Sequence, residues 1–326
     1  MPLIEVTDLV KVFDGEIRAV DGITFDVNEG EVFGFLGPNG AGKTTTIRIL
    51  VTLSEATSGT AIVDGIDVEA NPHAVRERIG YAAQFIGVDG DLTGKENLVL
   101  QGRLHGMSSD EAKQQADHLL EVIDLTEAAD RKAGRYSGGM RRRLDLAQAL
   151  MHEPRLLFLD EPTTGLDPQN RHALWAYLRQ LNSNGVTIFL TTQYLEEADA
   201  LADRIAIIDR GRIVVEGTPE ALKAGIGGDT ITVSVDDIEG AATTLMALSD
   251  IRELQTHDNE VTLYVADGGS RVAEVVRALD ASGISMHQLE LSEPTLDQVF
   301  LKHTGEHLRV EEVAQPSRMV MGRRTR

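Results

Sequence analysis

Apolar and polar positions change period several times along this chain. Leu3-Ile4-Glu5-Val6, leading into Leu9-Val10-Lys11-Val12-Phe13, has the composition of strands, and Asp14-Gly15 after it is a tight-turn signal. Ile23-Thr24-Phe25-Asp26-Val27 alternates strictly, as an antiparallel strand does when one face lies in a core. Glu31-Val32-Phe33-Gly34-Phe35-Leu36 is mostly apolar and runs into a glycine-rich loop, which predicts a buried central strand. The spacing then predicts a helix over 45–53. Over 108–124, Ala112, Ala116, Leu119, Leu120 and Ile123 fall on one helical face, and Ser108 with Glu111 makes a capping box. Another helix is expected over 140–152, ended by Pro154. Apolar strands at 156–159, 186–190 and 205–208, separated by helical segments, predict a largely parallel α/β sheet.

After Glu216-Gly217-Thr218-Pro219 the texture changes, and Gly225-Ile226-Gly227-Gly228 reads as a linker. Strands at 230–235, 251–256, 260–265 and 285–291 alternate with helices at 239–248, 270–281 and 294–303. That βαββαβ order is the split βαβ, ferredoxin-like arrangement, a small α+β unit. Charge divides the chain in the same way. Of the total of −21, residues 226–312 carry −12, while 313–326 hold four Arg and no acid. The expected organisation is a domain over 1–225, an accessory or regulatory domain over 226–305 and a flexible basic tail over 306–326.

Composition removes several classes of function. Runs such as Leu156-Leu157-Phe158-Leu159 are far shorter than the roughly 20 apolar residues of a membrane span. Met1-Pro2-Leu3-Ile4-Glu5 has neither the basic start nor the apolar centre of an export signal, so a cytoplasmic location is expected. The absence of cysteine excludes disulfide scaffolds, thiol nucleophiles and cysteine-ligated metals. The net negative charge disfavours nucleic acid as a partner. It leaves open a local phosphate site, since backbone N–H groups build one without basic side chains.

Such a site is legible. Gly37-Pro38-Asn39-Gly40-Ala41-Gly42-Lys43-Thr44 fits G-x-x-x-x-G-K-[ST], placed after a buried strand and before a helix that continues through Thr45. The glycines let backbone wrap a polyphosphate, and the helix N-terminus adds partial positive charge. Lys43 is expected to reach the β- and γ-phosphates, and the Thr44 hydroxyl to bind Mg²⁺. Leu156-Leu157-Phe158-Leu159-Asp160-Glu161 is a buried strand delivering two carboxylates. Asp160 suits the Mg²⁺ shell, and Glu161 suits a general base that orients the attacking water.

Tyr136-Ser137-Gly138-Gly139-Met140, twenty residues before the strand-end carboxylates, resembles the signature of ATP-binding cassettes, with Tyr and Met at its first and last positions. The resemblance implies that Ser137, Gly138 and Gly139 act on ATP held by an opposite subunit. It places Gln84 at the loop glutamine that touches Mg²⁺ and the membrane partner. It places Phe13 at the aromatic position that stacks on adenine, and Gly165-Leu166-Asp167 at the loop crossing the dimer interface. One position departs from the pattern. Where the family has its switch histidine the chain has Gln193, which can donate a hydrogen bond to phosphate but cannot shuttle a proton near neutral pH.

Thr191-Thr192-Gln193-Tyr194-Leu195-Glu196-Glu197-Ala198-Asp199, together with Tyr136 to Asp145, resembles the daunorubicin/doxorubicin-resistance type of cassette ATPase. So does the C-terminal run Leu289 to Phe300. The family implies a mixed sheet with a helical subdomain, and two copies closing head to tail over two ATP molecules. It implies separate membrane permease subunits, docked between Gln84 and about Met107, that the chain serves from the cytoplasmic face. The resemblance implies the ATPase of an exporter of a drug-like or amphipathic substrate. Related subunits move lipids, polysaccharides or peptides, and importer ATPases share the domain count. Soluble cassette proteins that act outside transport form a further alternative. The transport pocket lies in another polypeptide.

Overall fold

Residues 2–304, apart from 15, 227, 250, 258, 266 and 293, are described by a computed structural model. The tail expected over 306–326 lies outside the described residues. The two N-terminal apolar runs form a single strand, β1 (Pro2–Phe13), paired antiparallel with β2 (Ile17–Asn28). The ladder slips between Val6 and Leu9, where Asp8 takes a φ of 47°, and this bulge joins the two runs. The next strand, β3 (Val32–Leu36), is buried throughout and feeds the glycine-rich loop. Helix α1 (Lys43–Leu50) starts and stops earlier than the spacing predicts. Gly42, at φ 111°, turns the chain directly into it, and Thr52, at φ 63°, lies past its end. Strands β4 (Ser58–Val63) and β5 (Ile66–Asp67) complete a sheet in the order β2-β1-β4-β5.

After α2 (Pro72–Arg76) the chain adds β6 (Ile79–Ala82) to the edge of a second sheet, the one to which β3 belongs. It leaves for a helical region of α3 (Gly94–Leu104), α4 (Ser109–Val122) and α5 (Gly138–Ala149). Both α3 and α4 open with capping boxes, Thr93 with Glu96 and Ser108 with Glu111. The chain then returns as β7 (Leu156–Asp160), α6 (Pro168–Ser183), β8 (Thr187–Thr192), α7 (Leu195–Leu201), β9 (Arg204–Asp209) and β10 (Arg212–Gly217). The six strands run β10-β9-β3-β8-β7-β6, parallel except for β10. Phe25 of the first sheet packs among Phe33, Phe35 and Phe189 of the second, and Phe158 joins them, with neighbouring ring centroids 5.5–5.9 Å apart. Alternate residues of adjacent strands thus supply one aromatic layer between two sheets.

Helix α8 (Pro219–Ala224) precedes β11 (Asp229–Val235), α9 (Ile238–Met246), β12 (Ile251–His257), β13 (Glu260–Val265), α10 (Gly268–Ala281) and β14 (Met286–Ser292). This sheet is antiparallel in the order β12-β13-β11-β14, as the βαββαβ pattern predicts. Ile231, Val233 and Val235 pack under Leu245 of α9 and Val275 and Leu279 of α10. The last helix, α11 (Leu296–Thr304), is not part of that core. Its Leu296, Val299 and Phe300 pack with Leu36, Ala198, Ala202, Ile205, Ile207 and Leu222, which belong to β3, the α7–β9 region and α8. Among the described residues no helix is long and apolar enough to cross a membrane.

Candidate nucleotide-binding site

The candidate residues meet at the C-terminal ends of β3, β7 and β8, which parallel pairing puts side by side. Leu36 pairs with Thr192 and Asp160 with Thr191, and the Gly37 N–H donates to the Thr192 carbonyl at 3.2 Å. A loop of larger residues could not follow. A Cβ at Gly37 would stand 2.3 Å from the Ile208 carbonyl oxygen, and one at Gly42 the same distance from that of Ala19. Between them Pro38, Asn39, Gly40 and Ala41 curve around to the first turn of α1, with Thr44 and Thr45 only partly buried there. β3 has β9 on one side and β8 on the other, so the loop sits where connections diverge, the usual ligand site of open α/β sheets.

Lys43 is buried, and its Nζ donates to the carbonyls of Gly37 at 2.7 Å and Pro38 at 3.0 Å. It also lies 3.3 Å from Oε1 of Glu161. Burial draws its pKa down, against the opposing pull of Glu161. Asp160 accepts from the hydroxyls of Thr191 at 2.7 Å and Thr44 at 3.2 Å, while burial pushes its pKa up. Glu161 has a φ of 47°, a conformation rare for a non-glycine residue that persists only where surroundings over-determine it. Its N–H is shared between the Thr191 carbonyl and hydroxyl, each at 3.1 Å. Its Oε2 accepts from Gln84 Nε2 at 3.2 Å and Thr164 Oγ1 at 3.3 Å.

Lys43, Thr44, Gln84, Asp160 and Glu161 are therefore brought together. Gln193 is buried right after β8, yet its Oε1 has no hydrogen-bond partner and no described bond joins it to Glu161. Phe13 ends β1 with a half-exposed ring, Lys11 Nζ lying 5.0 Å from its centroid. The signature forms a separate end of the site. Ser137 caps α5, accepting from the Met140 N–H at 3.2 Å, and Gly138 lies exposed beside it. A Cβ at Gly139 would meet Asn170 Oδ1 at 2.4 Å. Asn170 donates in turn to Asp167, the cap of α6, whose pKa these bonds hold low. Signature and Asp167 loop are thus one packed unit. Sequence reasoning passed over Thr191, read as an ordinary strand residue, and the buried pair Arg142 and Asp145 on α5.

Known proteins resemble this chain in sequence and fold. A family model described as ABC transporter matches residues 20–164, and one described as ATP-binding protein DrrA1-3-like, C-terminal domain matches 217–304. The chain is 47% identical over 302 residues to daunorubicin resistance ATP-binding protein DrrA3 of Streptomyces coeruleorubidus, covering 92% of this chain and 95% of that one. The chain belongs to the daunorubicin/doxorubicin-resistance family of ABC ATPases. Identity to daunorubicin/doxorubicin resistance ATP-binding protein DrrA of Streptomyces peucetius is 46%, over 93% of this chain and 92% of the relative. With linearmycin resistance ATP-binding protein LnrL of Bacillus subtilis it is 37%, over 94% and 100%. Among solved structures, the ADP conformation of MJ1267, an ATP-binding cassette of an ABC transporter, superposes with a TM-score of 0.61 at 27% identity. That match covers 68% of this chain and 92% of the other. As an ABC ATPase the chain binds nucleotide and hydrolyses ATP for a transporter.

Proposed function

We propose that the chain binds ATP with Mg²⁺ and that its hydrolysis drives export of a drug-like, amphipathic molecule through separate membrane permease subunits, from the cytoplasmic face of the membrane. One observation carries the catalytic part: Lys43, Gln84 and Thr164 all converge on the Glu161 carboxylate. Fixed on both oxygens, Glu161 is the base that takes the proton of the attacking water. The loop Gly37 to Thr45 wraps the phosphates, Lys43 neutralises their charge and Phe13 stacks on adenine. Thr44, Asp160 and Gln84 offer the oxygens that a hard cation prefers, two of them 3.2 Å apart. Among the described residues no group of three or more His, Cys, Asp or Glu could hold a metal. Mg²⁺ itself takes few protein ligands and completes its shell with phosphate and water. The bound ion supplies charge neutralisation at the phosphates.

Ser137, Gly138 and Gly139 act on the nucleotide of a second copy, with Asp167 at the interface between copies. Support comes from the structure of MJ0796, a cassette described as a dimeric post-hydrolysis state bound to ADP and Pi, at 27% identity and a TM-score of 0.61. The names of the relatives at 46–47% identity favour a drug over the Nod factor named for relatives at 38–41%. Replacing Glu161 with Gln tests the core of the reading. Steady-state hydrolysis should fall by about 10²- to 10⁴-fold, the usual effect of removing a general base, while ATP binding persists. Near-normal turnover by Glu161→Gln would remove Glu161 from this role.

A further inference from the structure

Beneath the meeting of Gln84 and Glu161 lies an ion pair on the signature helix, Arg142 and Asp145, exposed by only 3% and 7%. Removing two charges from water is costly, and apolar residues of similar volume usually serve stability as well or better. Its contacts are unusually specific. Arg142 Nη1 donates to the Ala83 carbonyl at 2.7 Å and to Asp145 Oδ2 at 2.9 Å. Its Nε donates to the Pro162 carbonyl at 2.8 Å, and Nη2 lies 3.4 Å from that of Asp160. Asp145 Oδ1 accepts the Gly87 N–H at 2.8 Å.

Ala83 and Gly87 flank Gln84. Asp160 and Pro162 flank Glu161. The two grasped segments are the ones whose side chains meet at 3.2 Å, and one of them is held at a φ of 47°. A lone cation could bind one carbonyl; the planar fork of guanidinium binds several in fixed directions. We propose that Arg142 and Asp145 are a positioning pair that clamps the backbone around Gln84 and around Glu161, and so sets the contact between those side chains. The inference rests on Glu161 acting as the base. The hydrogen bonds described for the pair go to the backbone around Gln84 and Glu161 and none to the phosphate loop Gly37 to Thr44, so it acts first on the geometry at Glu161 and leaves the loop's own phosphate contacts in place. Small displacements of a catalytic group typically slow turnover by about a hundred-fold.

The test uses the full chain and compares Arg142→Lys, Gly87→Pro and Gly87→Ala. Lysine keeps the charge and loses the fork. Proline at the exposed position 87 removes the N–H that Asp145 accepts and also fixes φ and brings a ring carbon toward Asp145, so its unfolding temperature is read beside its kcat. Alanine retains the N–H with a Cβ 3.5 Å from Asp145 Oδ1. Steady-state ATPase, the dissociation constant for a fluorescent ATP analogue and thermal unfolding are measured on each, with Glu161→Gln alongside. Arg142→Lys should lower kcat about ten- to a hundred-fold with nucleotide affinity within about threefold, and Gly87→Pro should lower kcat several-fold where Gly87→Ala does not. If Arg142→Lys fails to fold, the Gly87 comparison decides alone. Normal kcat in Arg142→Lys and Gly87→Pro overturns the proposal, as does a loss shared equally by Gly87→Ala. Normal turnover by Glu161→Gln would instead overturn the reading of the base.

Discussion

Gln193 is the residue whose role is most open to measurement. It follows β8, whose Thr192 carbonyl receives the Gly37 N–H, so it stands next to the phosphate loop with an amide oxygen that meets nothing. That oxygen is an acceptor, which phosphate cannot satisfy; the group Gln193 offers to phosphate is the donating amide nitrogen of the same side chain. A hydrogen bond to charged phosphate contributes about 1.5–3 kcal/mol, and each 1.36 kcal/mol is about tenfold in rate. Gln193→Ala should therefore slow ATP turnover about ten- to a hundred-fold, and Gln193→His should retain it; unimpaired hydrolysis by the alanine variant would show that Gln193 does no such work. What sequence reading finds at this scale is chemistry that lies contiguous in the chain. Gly37 to Thr44 and Asp160-Glu161 are of that kind. Arg142 escapes it because its partners are backbone carbonyls 59, 20 and 18 positions away, which no residue type announces.

At the scale of elements, two histidines join pieces that are distant in sequence. His105 follows α3 and His152 follows α5, and their rings stack with centroids 3.9 Å apart and planes 5° from parallel. They line a cleft of about 330 Å³ together with Arg76, Tyr81 and Asp145. His152 Nε2 contacts the Ile79 carbonyl at 3.0 Å, which assigns the proton to that nitrogen, and Nδ1 is buried without a partner. Burial, and then His105 beside it, lower the His152 pKa to about 4. An unfolded imidazole titrates near about 6.5, so between these values the unfolded chain binds the extra proton. The stabilisation is whole above about 6.5 and is lost as pH falls toward about 4. The urea midpoint should thus drop between about pH 7 and pH 5, and His152→Gln, which retains a donor for Ile79, should flatten the drop. An equal drop in wild type and variant would assign the acid sensitivity elsewhere. Helical periodicity predicted α4 and α5 but not this junction, since it fixes a face and not what the face meets. The early start of α5 has the same origin: Ser137 caps it through Met140, so the signature glycines are its first turn and not a loop ahead of it.

For the whole molecule, the revealing element is α11. Its strand–helix neighbourhood reads in sequence as the end of an acidic appendix, and the break at 225–228 reads as a boundary. Amphipathic spacing gave the helix and left its destination undetermined. Phe300 is 2% exposed in a core built from Leu36 of β3, Ile207 of β9 and Ala202. Phe300→Ala should destabilise by about 3–5 kcal/mol, the range for a buried Phe truncated to Ala. Trp175, the sole tryptophan and a member of the core around β7 and β8, reports where that loss falls. Its fluorescence transition in urea should move to lower concentration in Phe300→Ala; an unmoved transition would assign α11 to the C-terminal unit instead.

That docking also fixes an order in time. The surface formed by Ala198, Ala202, Ile205, Ile207 and Leu222 is synthesised well before the helix that covers it. At about 5–20 residues per second, the roughly seventy residues between Leu222 and Leu296 keep the ribosome occupied for on the order of ten seconds. Throughout that interval the nascent ATPase carries an uncovered apolar face, the kind of surface that chaperones hold and that neighbouring chains on a polysome stick to. That one apolar cluster, unlike the cores made wholly of earlier residues, is completed only when the segment carrying α11 has been translated.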